Sequence, residues 1–165
     1  MSASSNAPQL QLLGPGHAPA LLAFEKANRA FFAASVPDRG DAYFRDFAAR
    51  HGALLAEQAE GVCYFHVLVD DAGDVLGRVN LVDVTDGSAE LGYRIAERAT
   101  GRGLATRAVR QVCDLAGTAY GLTGLRAATT FDNPGSRAVL HRVGFLPAGD
   151  IRLDGRPGTR YTLAL

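Results

Sequence analysis

The sequence has no tryptophan, two cysteines and, among its 17 basic residues, a single lysine, Lys26. No apolar run approaches the roughly 20 residues that a membrane-spanning helix needs, so no membrane span is expected. Basic and acidic residues balance at 17 each, and the chain therefore has no overall field to attract nucleic acid or an anionic membrane. Because Cys63 and Cys113 have neither CxxC spacing nor a neighbouring histidine, we expect buried free thiols and no metal site.

What is present is an ordinary globular composition. Hydrophobic residues make up 47% of the chain and charged residues 21%, values typical of a folded domain. The segment Met1 to Pro8 lacks the basic start and apolar stretch of a signal peptide, so we expect a short flexible tail there. The length of 165 residues then predicts a single domain over residues 9–165, and a cytoplasmic location is the default expectation.

Hydrophobic periodicity predicts alternating runs of helices and strands. Helical spacing is expected over residues 18–34 and, with Asp41 as its cap, over residues 41–58. Two further helices are expected after Gly103 and after the pair Asn133-Pro134. The predicted strands lie at residues 9–13, 62–69, 75–82, 88–95, 125–131, 145–153 and 160–165. This order indicates a mixed α/β or α+β fold with helices packed on the faces of one sheet.

A glycine-rich segment, Thr100-Gly-Arg-Gly-Leu-Ala-Thr106, joins the fourth predicted strand to a helix. Glycines allow close approach of the backbone to an anion, and the start of a helix adds unpaired N–H groups and partial positive charge. The segment is not a P-loop, which needs Gly-Lys before Ser or Thr, nor a dinucleotide fingerprint, which needs a third glycine at Thr106. It therefore predicts either a pyrophosphate cradle or a turn that binds nothing.

A second motif follows about thirty residues later, as Asn133-Pro-Gly-Ser136 on a short helix that closes in Gly144-Phe145. The first segment resembles the coenzyme-A-binding motif of GNAT acetyltransferases, and the second resembles their Asn-x-x-Ser helix. With Gly92-Tyr93 before the glycine turn, the chain is similar to the branch that includes the ribosomal-protein N-terminal acetyltransferases RimJ and RimL. The resemblance is most specific between Ala89 and Phe145.

The resemblance implies the GNAT fold, a mixed and largely antiparallel twisted sheet flanked by helices, with acetyl-CoA as cosubstrate and no metal. Its central strand is splayed beside the glycine turn, so main-chain groups near Tyr93 to Ala96 would contact the pantetheine arm and the developing oxyanion. The two amino-terminal helices would form one wall of the acceptor site. The implied cofactor-binding residues are Tyr93, Ile95, Ala96, Gly101, Arg102, Gly103, Leu104, Ala105, Thr106, Asn133 and Ser136.

Two residues are candidates for proton transfer. Glu90 lies on the strand face opposite Leu91 and Tyr93, at a position that resembles the catalytic glutamate of several GNAT enzymes, and it would accept the proton of the amine. The alternative is an ordinary exposed strand charge. Leu140 stands where many relatives carry the tyrosine that protonates the thiolate, so Ser136 is the candidate acid. Asn133 and Ser136 equally suit the capping of their helix.

Three functions stay open from the sequence. The first is acetylation of a protein or peptide N-terminal α-amine, motivated by the Gly-Tyr strand and the Asn-x-x-Ser helix. The second is acetylation of a small amine such as an antibiotic, a polyamine or an amino acid, for which an acidic cleft would indicate polyamines. The third is a non-catalytic acyl-CoA-binding module, suggested by Leu140 and by Thr100, where the family motif usually has Gln or Arg. Edge strands also allow a homodimer.

Overall fold

The computed structural model describes residues 7–165, so the first six residues of the expected tail lie outside it. One seven-stranded sheet runs through the described chain in the order β1-β2-β3-β4-β5-β7-β6. The strands are β1 Gln9–Leu12, β2 Tyr64–Val69, β3 Val75–Thr85, β4 Ser88–Ile95, β5 Gly124–Thr130, β6 Leu146–Leu153 and β7 Arg156–Ala164. The helices are α1 Ala18–Ala27, α2 Arg29–Ala33, α3 Asp41–Arg45, α4 Phe47–Ala59, α5 Leu104–Thr118 and α6 Pro134–Val143. The mixed, largely antiparallel sheet flanked by helices is confirmed.

The helical amino-terminal part differs from its prediction in three places, one of which is a break at Asp46 between α3 and α4 in the helix expected over residues 41–58. The helix expected over residues 18–34 is interrupted at Asn28, whose amide nitrogen donates to Phe24 O at 2.8 Å and whose Oδ1 accepts from the Glu97 N–H at 2.9 Å. The prediction of Asp41 as a helix cap is wrong, because Gly40 occupies that position with a φ of 86°. The Asp41 carboxylate instead accepts from Arg29 at 2.8 Å.

The carboxyl-terminal strand begins earlier than predicted. β7 starts at Arg156 rather than at residue 160, and the expected five-residue connection shortens to Asp154 and Gly155. Asp154 adopts a φ of 52°, as hairpin turns of this length require at their central residues. The longer β7 pairs with β5 along its whole length, from Gly124↔Ala164 to Thr130↔Gly158.

The core lies on both faces of the sheet. Strand β3 illustrates the alternation that the period of two imposes, with Val79 and Leu81 fully buried on one face and Arg78 reaching α1 from the other. Val109 and Val112 of α5 are equally inaccessible, as a helix with one apolar stripe requires. Cys63 and Cys113 are free and buried, as predicted. Since β1 and β6 form the sheet edges, a homodimer through an edge strand stays a prediction.

Within the described part of the chain, no helix combines the length and the apolar character that crossing a bilayer would require.

One parallel strand pair interrupts the antiparallel sheet. β4 and β5 pair only at Ser88↔Gly124, Ala89↔Leu125 and Glu90↔Arg126. Beyond these positions β4 continues to Ile95 beside β3, and β5 continues to Thr130 beside β7. The two strands therefore leave a wedge-shaped gap in the middle of the sheet, which we call the strand gap.

The close contact of β7 with β5 beside the strand gap can be tested with Gly158→Ala. A Cβ at Gly158 would overlap with the carbonyl oxygen of Thr129, and overpacking against backbone of this kind costs about 1–3 kcal/mol. We expect chemical denaturation to show a loss of stability in that range. Gly52→Ala is the control, since a Cβ there meets nothing within 4 Å and a helix interior gains about 0.5–1 kcal/mol from the change. Equal stabilities for the two variants would contradict the described packing.

Candidate active site

The main-chain groups of β4 determine what the strand gap offers. In an antiparallel pair, successive residues direct their N–H and C=O groups alternately toward and away from the partner strand. The Ala96 N–H donates to Leu76 O at 2.8 Å, so Ala96 faces β3 and the alternate residues Tyr93 and Ile95 face the other way. The main-chain groups of Tyr93 and Ile95 are therefore directed into the strand gap, while the amide of Ala96 is already used.

The glycine turn, which is the glycine-rich segment of residues 100–106, follows β4 after a short 3₁₀ helix at Glu97–Ala99 and leads into α5. Gly101 and Gly103 have φ values of 78° and 73°, in the left-handed region that glycine adopts without cost. A Cβ built on either residue would meet nothing within 4 Å, so the turn borders open space. No side chain caps α5, and the N–H groups of its first turn have no partner within the helix. These residues fit an anion such as a pyrophosphate.

A cavity of about 590 Å³ lies in front of this turn, and we call it the turn cavity. It extends from the turn along β4 to the start of α6, with Phe31 and Phe32 of α2 on the opposite wall. Nine of the residues predicted to bind the cofactor line it: Tyr93, Ile95, Gly101, Gly103, Leu104, Ala105, Thr106, Asn133 and Ser136. Two predicted motifs thus meet at one cavity.

A second cavity of about 620 Å³ lies on the β5 side of the strand gap. Its lining includes Gly92 of β4, the β5 residues 127–130, and the charged residues Arg39, Arg94, Arg156 and Asp154. We call it the arginine cavity. The two cavities share the lining residues Ser35, Val36, Tyr93, Arg94, Asn133 and Ser136. Ligands in the two cavities would therefore meet beside Tyr93 and Ser136.

A pair of hydroxyl groups marks this junction. Tyr93 Oη lies 3.0 Å from Ser136 Oγ and donates to it. Burial raises the pKa of the Tyr93 phenol, against the opposing effect of its hydrogen bond with Ser136. The Tyr93 side chain therefore keeps its proton at neutral pH. Sequence reasoning missed this hydroxyl pair, because Tyr93 belongs to the alternating strand pattern with Leu91 and Ile95 and the family resemblance implies only main-chain contacts for it.

The cap of α6 agrees with the prediction. Asn133 Oδ1 accepts the Ser136 N–H at 3.2 Å, and Pro134 occupies the first turn. The residue that caps the helix also lines both cavities. Capping thus fixes Asn133 and Ser136 in position at the junction, so the structural and the functional interpretation of this motif are compatible.

Three predicted site residues are not brought to the cavities. Glu90 Oε2 lies 3.4 Å from Arg126 Nε, at the last paired position of β4 and β5, and it lines neither cavity. The Arg102 guanidinium donates to Arg98 O, just before the turn, at 2.6 Å. Ala96 is 2% exposed and its amide is bonded to β3. The position of Glu90 does not favour its role as a base.

A buried carboxylate lies behind the arginine cavity. Glu25 of α1 is 1% exposed and accepts from Arg39 at 3.0 Å and from Arg78 at 2.9 Å. The guanidinium of Arg94 lies 3.5 Å from the same carboxylate. One negative charge is thus shared by three positive charges, which we call the Glu25 cluster. It joins α1, β3, β4 and the segment after α2, so no local pattern in the sequence indicates it.

Three comparisons with known proteins bear on this site. Residues 9–146 match the model of the acetyltransferase (GNAT) domain. Over 90 residues the chain is 29% identical to the uncharacterized N-acetyltransferase p20 of Bacillus licheniformis, covering 53% of this chain and 51% of that one. The structure of the ribosomal-protein-S5-alanine acetyltransferase from Vibrio fischeri has a TM-score of 0.91 at 22% identity, covering 99% of this chain and 96% of that one. Mycobacterium smegmatis RimJ in complex with CoA-disulfide has a TM-score of 0.84 at 25% identity, covering 97% and 86%.

The sheet with its strand gap and glycine turn is that of an acyltransferase fold. The chain belongs to the GNAT acetyltransferase family, whose domain model covers most of it. The sequence resemblance to this family and to its RimJ/RimL branch is confirmed. The chain spans about half the length of the curated relatives it matches.

The cradle at the glycine turn is tested by Gly103→Val. The side chain would enter the open space in front of the turn, and left-handed backbone costs a non-glycine residue about 1–2 kcal/mol. We expect calorimetry to show at least a tenfold loss of affinity for coenzyme A, with the fold retained. The control is Gly121→Val, which has a similar φ of 67° and open surroundings after α5. Unchanged affinity in Gly103→Val, or an equal loss in both variants, would refute the cradle.

Proposed function

We propose that this protein is an acetyl-CoA-dependent N-acetyltransferase that acetylates a primary amine, with a protein or peptide N-terminal α-amine as the acceptor. Residues 9–165 would form its single domain. The observation that carries the proposal is the meeting of two cavities at the strand gap, one bordered by the glycine turn and the other open to an acceptor. Both substrates would bind together, and the amine would attack directly.

The turn cavity would hold the cofactor. Main-chain N–H groups from Gly101 to Thr106 would donate to its diphosphate, because Gly101 and Gly103 border open space and no side chain caps α5. When bound, acetyl-CoA supplies the thioester-linked acetyl group. The main-chain groups of Tyr93 and Ile95 would hold the pantetheine arm along β4, where no neighbouring strand competes for them.

The strand gap would also stabilise charge on the carbonyl oxygen of the thioester. A fixed N–H donor directed at such an oxygen contributes about 3–4 kcal/mol to barrier lowering in other enzymes. The Tyr93 and Ile95 amides are the candidates, because the pairing of Ala96 with Leu76 sets their direction. The rigid β3–β4 pairing keeps them fixed during the reaction.

The hydroxyl pair of Tyr93 and Ser136 would deliver the proton to the departing sulfur. Ser136 was the candidate acid from the sequence, and its Oγ accepts from a buried phenol whose raised pKa keeps it protonated. Either hydroxyl can rotate its proton toward a group at the junction of the cavities. Leu140 has no proton to give and is 1% exposed. Tyr93 therefore takes the role of the tyrosine that many relatives carry at position 140.

The acceptor amine needs less help with its own proton. An N-terminal α-amine has a pKa of about 8 and is partly neutral at cellular pH. Because Glu90 lines neither cavity and faces Arg126, we propose that the proton leaves to solvent through the open arginine cavity.

The charge of the arginine cavity favours some classes of acceptor over others. Three arginines and one aspartate line it, which disfavours a polyamine because like charges repel. The similar fold of a ribosomal-protein-S5-alanine acetyltransferase supports a peptide acceptor.

Thiol release from acetyl-CoA should be measured with N-terminal peptides, amino acids, aminoglycosides and polyamines. We expect turnover with peptides, whereas tight coenzyme binding without turnover on any amine would indicate the non-catalytic module.

The hydroxyl pair is tested by Tyr93→Phe. Loss of a general acid lowers turnover by about 10²–10⁴-fold, and the remaining Ser136 hydroxyl reduces the expected loss to about 10–100-fold. Coenzyme A affinity should change less than about twofold, since the ring stays in place. Tyr161→Phe is the control, because that buried tyrosine lines neither cavity. Full activity of Tyr93→Phe in single-turnover assays would remove the phenol from the mechanism.

The role of Glu90 is tested by Glu90→Gln. If the amine loses its proton to solvent, kcat/KM should rise with pH up to about 8 in both proteins, following the α-amine. We expect the two pH profiles to have the same shape and heights within about threefold. A selective loss of activity in Glu90→Gln below neutral pH would restore Glu90 as the base.

A further inference from the structure

The charges around the arginine cavity do not balance. Within the Glu25 cluster, Arg39 and Arg78 hydrogen-bond the single carboxylate and Arg94 lies beside it, so the three arginines exceed the carboxylate by two positive charges. Arg78 Nε is buried without a hydrogen-bond partner in the described structure. A buried charge that is incompletely paired is costly unless another group compensates it. The cluster therefore has more positive charge and more donors than its one carboxylate satisfies.

Arg94 is the member of the cluster that lines both cavities. Its side chain is 21% exposed and is held over the Phe32 ring with its guanidinium carbon 5.0 Å from the ring centroid. Within the described structure it donates no hydrogen bond that meets ordinary geometry, although a guanidinium carries five N–H donors. Burial first, and then the positive charges of Arg39 and Arg78, lower its pKa against the attraction of Glu25. An anion beside it would offset both effects by stabilising the charged guanidinium.

The other charged residues of the cavity are already engaged or lie at its edge. Arg156 donates to Ser35 O at 3.2 Å and pairs with Asp132. Arg39 is occupied by Glu25 through two hydrogen bonds. Asp154 is exposed in the β6–β7 turn and is the one carboxylate that lines the cavity in the described structure. Arg94 is thus left to select the ligand, with Asp154 opposing it.

We infer that the arginine cavity selects an acceptor amine that carries a carboxylate or phosphate close to the amine, and that Arg94 binds this anion. The inference rests on the proposed acetyltransferase function and deepens it. The geometry of guanidinium suits a bidentate contact with either group. Two sources have this chemistry: a peptide with an acidic residue next to its N-terminus, and a free amino acid with its own carboxylate.

The test compares matched acceptors in two arms. In the peptide arm, C-terminally amidated peptides differ only at the second residue, which is Asp, Asn or Lys. In the small-molecule arm, alanine is compared with alaninamide, with kcat/KM expressed per neutral amine, because the carboxylate also raises the pKa of the α-amine. We expect kcat/KM for the Asp peptide to exceed that for the Lys peptide at least about tenfold at low salt, and the ratio to fall as salt rises. A preference for alanine over alaninamide without a peptide preference would assign the anion to a free amino acid.

Two substitutions that remove charges of opposite sign from the arginine cavity test whether the acceptor preference arises there. Arg94→Gln should bring the Asp-to-Lys ratio close to one. Asp154→Asn should increase the ratio several-fold, because it removes the carboxylate that opposes Arg94. The turn should be retained, since asparagine tolerates the left-handed position. Arg45→Gln, at a residue whose side chain is 71% exposed and outside both cavities, should leave the ratio unchanged. Thermal unfolding of each variant verifies that the fold is retained.

Three results would overturn the inference. The first is equal turnover of the Asp and Lys peptides together with equal turnover of alanine and alaninamide. The second is a preference for the Asp peptide that survives in Arg94→Gln. The third is a loss of coenzyme A affinity in Arg94→Gln without a change in acceptor preference. The last result would assign Arg94 to the cofactor. If no amine is acetylated, the proposed function fails, and equilibrium binding of the Asp and Lys peptides in the presence of coenzyme A still decides whether the cavity prefers an anion.

Discussion

The separation of β4 from β5 after Glu90 and Arg126 is the constraint on which the site depends. A continuous sheet would use the main-chain groups of Tyr93 and Ile95 in a ladder, and none would be free for a ligand. Because β4 stays paired with β3 and β5 stays paired with β7, each strand is rigid although the two part. The glycine turn, the cap of α6 and both cavities are arranged around this opening.

The Glu25 cluster is the second constraint, because it fixes the position of side chains that line the arginine cavity. The amino-terminal helices touch the sheet through a buried carboxylate and three arginines rather than through apolar contacts alone. Charge pairs of this kind contribute little net stability, and breaking one by removing a partner costs about 3–5 kcal/mol. Asn28 adds a further connection, since its amide bridges the end of α1 and the segment before the glycine turn. These contacts hold the side chains of both cavities at a defined distance from β4.

Local patterns in the sequence predicted the parts of the site that depend on backbone. Two glycines before a helix, and Asn-Pro at the start of another, each have a conformational meaning within a few residues, and the structure places both motifs at the turn cavity. β4 was predicted with its observed bounds because its alternation is complete. Long-range pairings were not predictable in this way. The contact of Glu90 with Arg126, the bonding of Ala96 to β3 and the sharing of Glu25 all join segments far apart in the chain. The hydrogen bond of Tyr93 with Ser136 likewise joins β4 to α6.

The most direct test of the account is a titration of isotopically labelled protein with coenzyme A, followed by amide chemical shifts. If the strand gap and the glycine turn bind the cofactor through main-chain groups, the largest shifts will occur at Tyr93, Ile95 and the segment Gly101 to Thr106. The amide of Ala96 should move less than those of Tyr93 and Ile95, because it already donates to Leu76. Shifts confined to other surfaces, or no shifts at saturating coenzyme A, would contradict the assignment of this opening as the cofactor site.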